Sequence, residues 1–398
     1  MSNTFTLSRL LLLAGLISLL ISASTTFKEE AILTASNKAS QDLLGFRVSI
    51  FGNNAFAGAE GDNSGGFSDN GAVYVYRSVN GGKSWPSAEN QILTASDKGS
   101  NSYFGWAISV SGNIALIGAE GHTIGGTSSA GAAYIFNTTN GGVTWSEAQI
   151  LTAAVKFQDA GFGCSASISG NVALVGASLH DLPGKGDAGA AYLFQSPDGG
   201  KTWPASETQM LTASNELAGS RFGSSVSVSG NTAFVGAEWQ TVGANSQGGS
   251  AYIFRKSLGG GSWNEVQILK TTNNAWFGVS VDISNNIALV GARKQNAGGV
   301  STSGAVYVYR SSDGGATWNE TQELSASNAA ANDAFGSAVA ISDNTAVIGA
   351  FSARPGSLSQ AGAAYIFELP TPVVPPSKKS QSSSAASSSA NDDANTAS

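Results

Sequence analysis

The stretch FGCSASISGNVALVGA at residues 162–177 contains two apolar segments joined by the turn residues Ser-Gly-Asn. Each segment has the length of a β-strand, and β-branched and small apolar side chains dominate both. GAAYLF at residues 189–194 and TWPASETQML at residues 202–211 follow after clusters of Gly, Asp and Ser. The stretch and its continuation therefore predict a unit of four short strands.

The same unit occurs six times, and a Gly-Ala pair ends the second strand of every copy. These pairs are Gly58-Ala59, Gly118-Ala119, Gly176-Ala177, Gly236-Ala237, Gly291-Ala292 and Gly349-Ala350. A four-stranded unit of this size cannot bury both of its faces alone, whereas radial stacking around an axis covers both. We therefore predict an all-β, six-bladed β-propeller of four-stranded antiparallel blades.

The predicted blade repeats run over about residues 33–92, 93–150, 151–210, 211–268, 269–323 and 324–369. The sixth copy ends at Phe367 without a fourth strand. TFKEEAIL at residues 26–33 matches the fourth-strand sequence TWSEAQIL at residues 144–151. We expect the N-terminal strand, residues 27–33, to complete the last blade, so that hydrogen bonds close the ring.

The two ends of the chain differ from the repeats in composition. Residues 1–24 contain Arg9, an apolar run over residues 10–23 and small residues at the end, which is the layout of a signal peptide. An uncleaved membrane anchor is the alternative. Residues 370–398 are rich in Pro, Ser and Ala and predict a disordered tail. We expect the mature protein to be secreted or extracellular at the cell surface, with no membrane span after cleavage.

Charge and cysteine content limit the partners and the covalent bonds. The chain of 398 residues has a net charge of −7 and no basic stripe, which argues against a nucleic-acid partner. Cys164 is the single cysteine and cannot form an internal disulfide bond. We expect a monomer that packing and hydrogen bonds hold together.

The turn between the third and fourth strands has a second repeated sequence, SPDGGKTW at residues 196–203. Related sequences occur at residues 78–85, 138–145 and 311–318. They resemble the Asp-box, S-x-D-x-G-x-T-W, of propeller proteins that include sialidases. In those families the Asp-box stabilises the turn, so the resemblance predicts a structural role here.

A Phe-Gly pair opens five of the six units, and Leu44-Gly45 opens the first. The Phe-Gly pairs are Phe104-Gly105, Phe162-Gly163, Phe222-Gly223, Phe277-Gly278 and Phe335-Gly336. With the Gly-Ala pairs that follow them, these units resemble FG-GAP repeats, which build the propeller of integrin α chains. The resemblance covers roughly residues 27–369 and implies a binding or adhesion module.

Integrin-type repeats carry calcium loops with alternating carboxylates, and this sequence departs from that pattern. Only the first copy offers a weak calcium set, at Glu60, Asp62 and Asp69. We expect no other cofactor.

Loops after the second strands and links between units differ from copy to copy, and both should lie on the same side of the propeller. We expect this side to bind an extracellular protein or glycan. The candidate ligand-binding residues are Tyr103, Glu120, His122, Glu238, Trp239, Trp276, Arg293 and Arg354.

Two other functions are considered. A sialidase-like glycoside hydrolase would need an arginine triad and a Tyr–Glu nucleophile pair near the axis, but Arg77, Arg255 and Arg310 follow third strands and lead into the opposite side. A structural component of a cell wall or matrix, held by the Ser-rich tail, is the second alternative.

Overall fold

The computed structural model describes residues 31–354 and 361–369, apart from positions 258, 260 and 274. The predicted signal peptide, the first four residues of the predicted strand 27–33 and the predicted tail lie outside this part of the chain. Within it, no helix has the length and hydropathy to cross a membrane.

The described residues form six antiparallel sheets, which we call blades 1 to 6. Blade 1 contains β1 (Val48–Phe51), β2 (Asn54–Ala59), β3 (Ala72–Arg77) and β4 (Gln91–Leu93). Blade 2 contains β5 (Ala107–Ser111), β6 (Ile114–Ala119), β7 (Ala132–Asn137) and β8 (Ser146–Leu151). Blade 3 contains β9 (Phe162–Ser169), β10 (Val172–Ala177), β11 (Ala190–Gln195) and β12 (Gln209–Leu211).

Blade 4 contains β13 (Phe222–Ser229), β14 (Thr232–Ala237), β15 (Ser250–Lys256) and β16 (Trp263–Lys270). Blade 5 contains β17 (Phe277–Ser284), β18 (Ile287–Ala292), β19 (Ala305–Arg310) and β20 (Asn319–Leu324). Blade 6 contains β21 (Phe335–Ser342), β22 (Thr345–Ala350) and β23 (Ala363–Glu368). Short 3-10 segments occur at Ser64–Gly66 and Ala297–Gly299. The prediction of an all-β, six-bladed propeller is confirmed.

The first strand of every blade faces a common axial cavity. This cavity has a volume of about 450 Å³, and all six first strands contribute to its wall. Small side chains such as Ala107, Ser165, Ser225 and Ala338 line it, together with Arg47. The first strands therefore define the axis of the propeller.

Apolar cores fill the spaces between neighbouring blades. Each of the five junctions from blade 1 to blade 6 has its own buried cluster. At the junction of blades 2 and 3, Phe162 is buried, and its ring centroid lies 5.2 Å from that of Tyr192. Burial of such a Phe contributes about 1.5–3 kcal/mol, so the repeated Phe supplies one anchor at each of these junctions.

Glycine is required where two blades touch. A Cβ atom built on Gly118, the glycine of a Gly-Ala pair, would lie 2.1 Å from the carbonyl oxygen of Gly163, the glycine of the next Phe-Gly pair. The same close approach occurs at Gly58, Gly176, Gly236 and Gly291. The two dipeptides of the repeat are therefore the two sides of one inter-blade contact.

The Asp-box turns have the predicted structural role. In blade 3, the Asp198 carboxylate accepts hydrogen bonds from the backbone N–H and the hydroxyl of Thr202. These bonds lower the pKa of Asp198 to about 2. Trp203 is buried and donates from Nε1 to the carbonyl oxygen of Gly200.

The junction between blades 6 and 1 differs from the other five. Residues of blades 1 and 6 that would face this junction are exposed to solvent. The exposed fraction is 71% for Val48 and 47% for Ile366. A Cβ atom on Gly349 would lie 3.4 Å from Ala338 of its own blade, and Gly45 has no atom within 4 Å of its Cβ position. Among the described residues, the inter-blade contact is therefore not formed at this junction.

The N-terminal segment reaches blade 1 in the described residues. Leu33 packs against the apolar cluster of blade 1, and the backbone N–H of Ser36 donates to Glu89. Residues 31–33 are not part of a strand, and the described residues give blade 6 three strands. Completion of blade 6 by residues 27–33 thus stays a prediction.

The other blades define the register that this completion would have. A leucine of the fourth strand pairs with the third strand as Ala133↔Leu151, Ala251↔Leu269 and Val306↔Leu324. The same register would place Leu33 opposite Ala364. The other fourth strands have a bulge a few residues before this leucine. With the same bulge, Lys28, which is five residues before Leu33, would lie opposite Glu368.

We expect Gly118→Ala to lower the free energy of unfolding by at least about 2 kcal/mol, because the new methyl group meets the Gly163 carbonyl. Gly261→Ala is the control, since Gly261 has open space around its Cβ position. Urea unfolding of both variants measures the difference. Equal stability of the two variants would contradict the proposed role of the Gly-Ala glycine.

We expect Lys28→Glu and Glu368→Lys each to lower stability by roughly 0.5 kcal/mol, because each places like charges opposite one another on paired strands. The double variant should recover the loss. Urea unfolding in low salt gives the coupling energy between the two sites. The pair Lys201→Glu and Glu368→Lys is the control, since Lys201 lies in blade 3, and its effects should add. If the stability effects of Lys28→Glu and Glu368→Lys also simply add in the double variant, the result would argue against closure by residues 27–33.

Candidate functional site

Two positions of the repeat meet at one end of the axial cavity, which we call the mouth. The first position directly precedes the Phe-Gly pair and holds Tyr103, Arg221 and Trp276 in blades 2, 4 and 5. The second directly follows the Gly-Ala pair and holds Glu60, Glu120, Ser178, Glu238, Arg293 and Phe351 in blades 1 to 6. Both positions adjoin the inter-blade glycine contact, so the blade packing brings their side chains together.

The position before Phe-Gly has an uncommon backbone conformation. Tyr103, Arg221 and Trp276 have φ angles of 56°, 57° and 52°, in the left-handed region. Non-glycine residues in this region cost on the order of 1–3 kcal/mol each and concentrate at functional sites. Large side chains are therefore held at the mouth despite an unfavourable backbone.

On the side of blades 4 and 5, cationic and aromatic side chains stack on one another. The Arg221 guanidinium carbon lies 3.5 Å from the ring centroid of Trp239, and the Trp239 and Trp276 centroids are 6.0 Å apart. Arg293 and Lys294 lie over Trp276 at 4.4 Å and 3.9 Å. We call these five residues the cation–aromatic cluster.

Glu238 forms an ion pair with the cation–aromatic cluster. Glu238 Oε2 lies 3.8 Å from Arg293 Nη2. Burial raises the pKa of Glu238 and lowers the pKa of Arg293, and the attraction between them opposes both shifts. Trp276 is held in place by a hydrogen bond from Nε1 to Gln247 Oε1 at 3.2 Å.

On the side of blades 1 and 2, two acids surround one arginine. Burial raises the pKa of Glu60 to about 7 and that of Glu120 to about 7, while the charge of Arg47 opposes both shifts. The protein around the axial cavity also lowers the pKa of Arg47 by desolvation, although this side chain keeps contact with solvent. Acids with such raised pKa values are typical of functional sites.

Aromatic side chains lie beside these acids. The Trp106 ring centroid is 5.2 Å from that of Phe46 and 5.9 Å from that of Tyr103. The mouth thus combines aromatic surface with charges of both signs.

The structure separates the predicted ligand-binding residues into three groups. Glu238, Trp239, Trp276 and Arg293 come together at the cation–aromatic cluster. Tyr103 and Glu120 lie on the other side of the mouth. His122 and Arg354 form the third group, because each makes hydrogen bonds with its own loop or a neighbouring loop.

His122 organises its own loop. It is 3% exposed, its Nδ1 lies 2.8 Å from Ser102 Oγ, and its Nε2 lies 3.1 Å from Asp97 Oδ2. Arg354 donates from Nη2 to the carbonyl oxygen of Ala331 at 3.0 Å. These contacts account for both side chains without a ligand.

Sequence reasoning missed Arg221 as a partner of Trp239. The available signal was its place in the repeat, because Arg221 directly precedes Phe222-Gly223 just as Tyr103 precedes Phe104-Gly105. It also missed Trp106, which follows Phe104-Gly105 and packs on Tyr103.

The residues of the predicted calcium set point to different neighbours. The Asp62 carboxylate accepts hydrogen bonds from the hydroxyls of Tyr74 and Ser64, and Glu60 interacts with Arg47. In the described part of the chain, no group of three or more His, Cys, Asp or Glu residues is arranged to hold a metal ion. Calcium binding at Glu60, Asp62 and Asp69 gains no support from this arrangement and stays a prediction.

A model of the FG-GAP repeat matches the chain at residues 27–76, 88–136, 145–194, 205–254, 263–309 and 318–367. Together the six matches cover more than half of the sequence. Every match ends in the third strand of a blade, and matches two to six start in or just before the fourth strand of the preceding blade. The family repeat is therefore offset from the blade by one strand. Comparison with curated protein sequences gives no match.

We expect Glu120→Gln to raise stability at pH 8 by about 1–2 kcal/mol relative to the wild type, and much less at pH 4. Because the pKa of Glu120 is about 7 in the folded protein and 4.5 for a glutamate in water, the folded state binds more protons between these values. Wild-type stability therefore falls as pH rises through that window, and glutamine removes the loss. Urea unfolding at both pH values measures it, and a difference that does not change with pH would contradict the assignment.

Proposed function

The chain belongs to the FG-GAP repeat family, and from this we propose that it is an exported, non-enzymatic binding and adhesion module whose mouth contacts an extracellular protein or glycan. Membership in the family supports the general role, because FG-GAP propellers are modules of the binding and adhesion type. FG-GAP proteins are typically extracellular or surface-located, which agrees with the predicted signal peptide.

The observation that carries the proposal is the concentration of aromatic and charged side chains at the mouth. Trp239, Trp276 and Phe351 come from three neighbouring blades, and Phe351 is exposed. The opposite side consists of Asp-box turns whose side chains hydrogen-bond within their own turns. Aromatic and arginine side chains dominate the energetics of protein interfaces, so the mouth is the side suited to a partner.

Tyrosine contacts support a non-enzymatic role over the sialidase alternative. Tyr74 and Tyr134 belong to third strands, away from the first strands at the axis, and their hydroxyls bond to Asp62 and Asp97. Arg77 and Arg310 end third strands beside Asp-box turns. These four groups lie away from the mouth. The mouth itself contains Tyr103 and Glu120, but within the described residues no hydrogen bond pairs Tyr103 with a glutamate.

The alternative of a structural wall or matrix component depends on the tail, residues 370–398, which lies outside the described residues. No observation in the propeller favours it over a binding module.

We expect Trp276→Ala to reduce ligand binding at least tenfold, because it removes the ring that supports two cations of the mouth. Binding is measured with the labelled full-length protein on a glycan array and on an array of 12-residue peptides. Val79→Ala is the matched control, since Val79 is an exposed apolar residue of an Asp-box turn.

Failure of the wild type to bind any array member would contradict the proposed function. Equal losses in the Trp276 and Val79 variants would contradict the assignment of binding to the mouth.

A further inference from the structure

Two buried N–H donors in the cation–aromatic cluster lack an acceptor among the described residues. They are Arg221 Nε and Trp239 Nε1. They belong to neighbouring side chains, since the Arg221 guanidinium carbon lies 3.5 Å from the Trp239 ring. An unsatisfied buried donor costs about 1–3 kcal/mol. Both donor atoms are shielded from solvent, so they add positive polarity without a compensating acceptor beneath the surface of the cluster.

The charge of the cluster also favours an acceptor with negative charge. Arg221, Arg293 and Lys294 contribute three cations, and Glu238 is the carboxylate in ion-pair contact with them in the described residues. Glu120 also interacts with Arg221, but it is partly protonated near neutral pH because burial raises its pKa to about 7. The cluster is thus a local excess of positive charge on a chain whose net charge is −7.

In the cluster, the cations lie over indole faces, so each guanidinium uses its face for stacking and its N–H groups point away from the ring. Arg221 covers Trp239, and Arg293 and Lys294 lie over Trp276. The indole faces that carry these cations are covered, so a sugar ring could not stack on them without displacing the cations. A guanidinium edge instead presents parallel N–H donors, which match the two oxygens of a carboxylate.

We infer that the cation–aromatic cluster binds the carboxylate of an aspartate or glutamate side chain of a protein partner. This inference rests on the proposed binding function and names the chemistry of its ligand. A protein fits better than an acidic polysaccharide because Glu60 and Glu120 occupy the other side of the mouth. A regular polyuronate would bring further carboxylates towards these acids, whereas a peptide can present one acid with neutral or basic neighbours.

The test selects binders from a phage-displayed library of 12-residue peptides on the immobilised full-length protein. We expect selected peptides to contain an Asp or Glu whose replacement by Asn or Gln weakens binding at least tenfold. Arg221→Gln and Arg293→Gln should each weaken binding by a similar factor, and Lys201→Gln on the opposite side should leave it unchanged. Polygalacturonate, measured in parallel, should bind more weakly than the peptides.

Four outcomes would each overturn the inference. The selection could fail, the selected peptides could lack an essential acid, both arginine variants could bind them as well as the wild type does, or polygalacturonate could bind more tightly than the peptides. Circular dichroism and thermal unfolding of the arginine variants would show that they remain folded. One outcome separates the two proposals. If Trp276→Ala abolishes binding on the arrays but Arg221→Gln and Arg293→Gln do not change it, this inference is wrong and the proposed function stands.

Discussion

The contact between two glycines of neighbouring blades is the constraint on which the propeller depends. A Cβ atom at Gly176 would lie 2.0 Å from the Gly223 carbonyl oxygen, and equivalent contacts occur at all five junctions from blade 1 to blade 6. No other residue permits this approach without moving a backbone. Since the contact repeats with the same geometry, it sets the spacing of the blades, and the Phe beside it fills the core between them.

The same contact creates the mouth. Residues close to the two glycines in sequence are carried to one end of the axial cavity, where Glu238 and Trp239 of blade 4 meet Arg293 and Trp276 of blade 5. The backbone at these positions is common to the blades, including the left-handed conformation before Phe-Gly. Side chains can therefore vary from blade to blade without changing the fold, which is how a repeat protein obtains an asymmetric binding surface.

The balance of charge distinguishes the two sides of this surface. Around Arg47, two glutamates share one cation, and burial raises the pKa of both. In the cation–aromatic cluster, cations exceed carboxylates and indole rings support them. Both arrangements place charges where water is partly excluded, so an interaction with a charged partner is stronger there than on the open surface.

Local pattern determined the number of blades, the order of their strands and the Asp-box turns, because strand length, turn residues and repeat spacing are properties of neighbouring residues. It also indicated the side on which Trp239 and Trp276 lie. Only the tertiary structure decided which side chains touch there. Arg221 and Trp239 are separated by two strands in sequence, and His122 turned inward to Ser102 and Asp97. These contacts depend on how the loops of one blade fold over each other, whereas the contact of Trp239 with Trp276 depends on how closely two blades approach. Neither is a property of residues that are neighbours in the sequence.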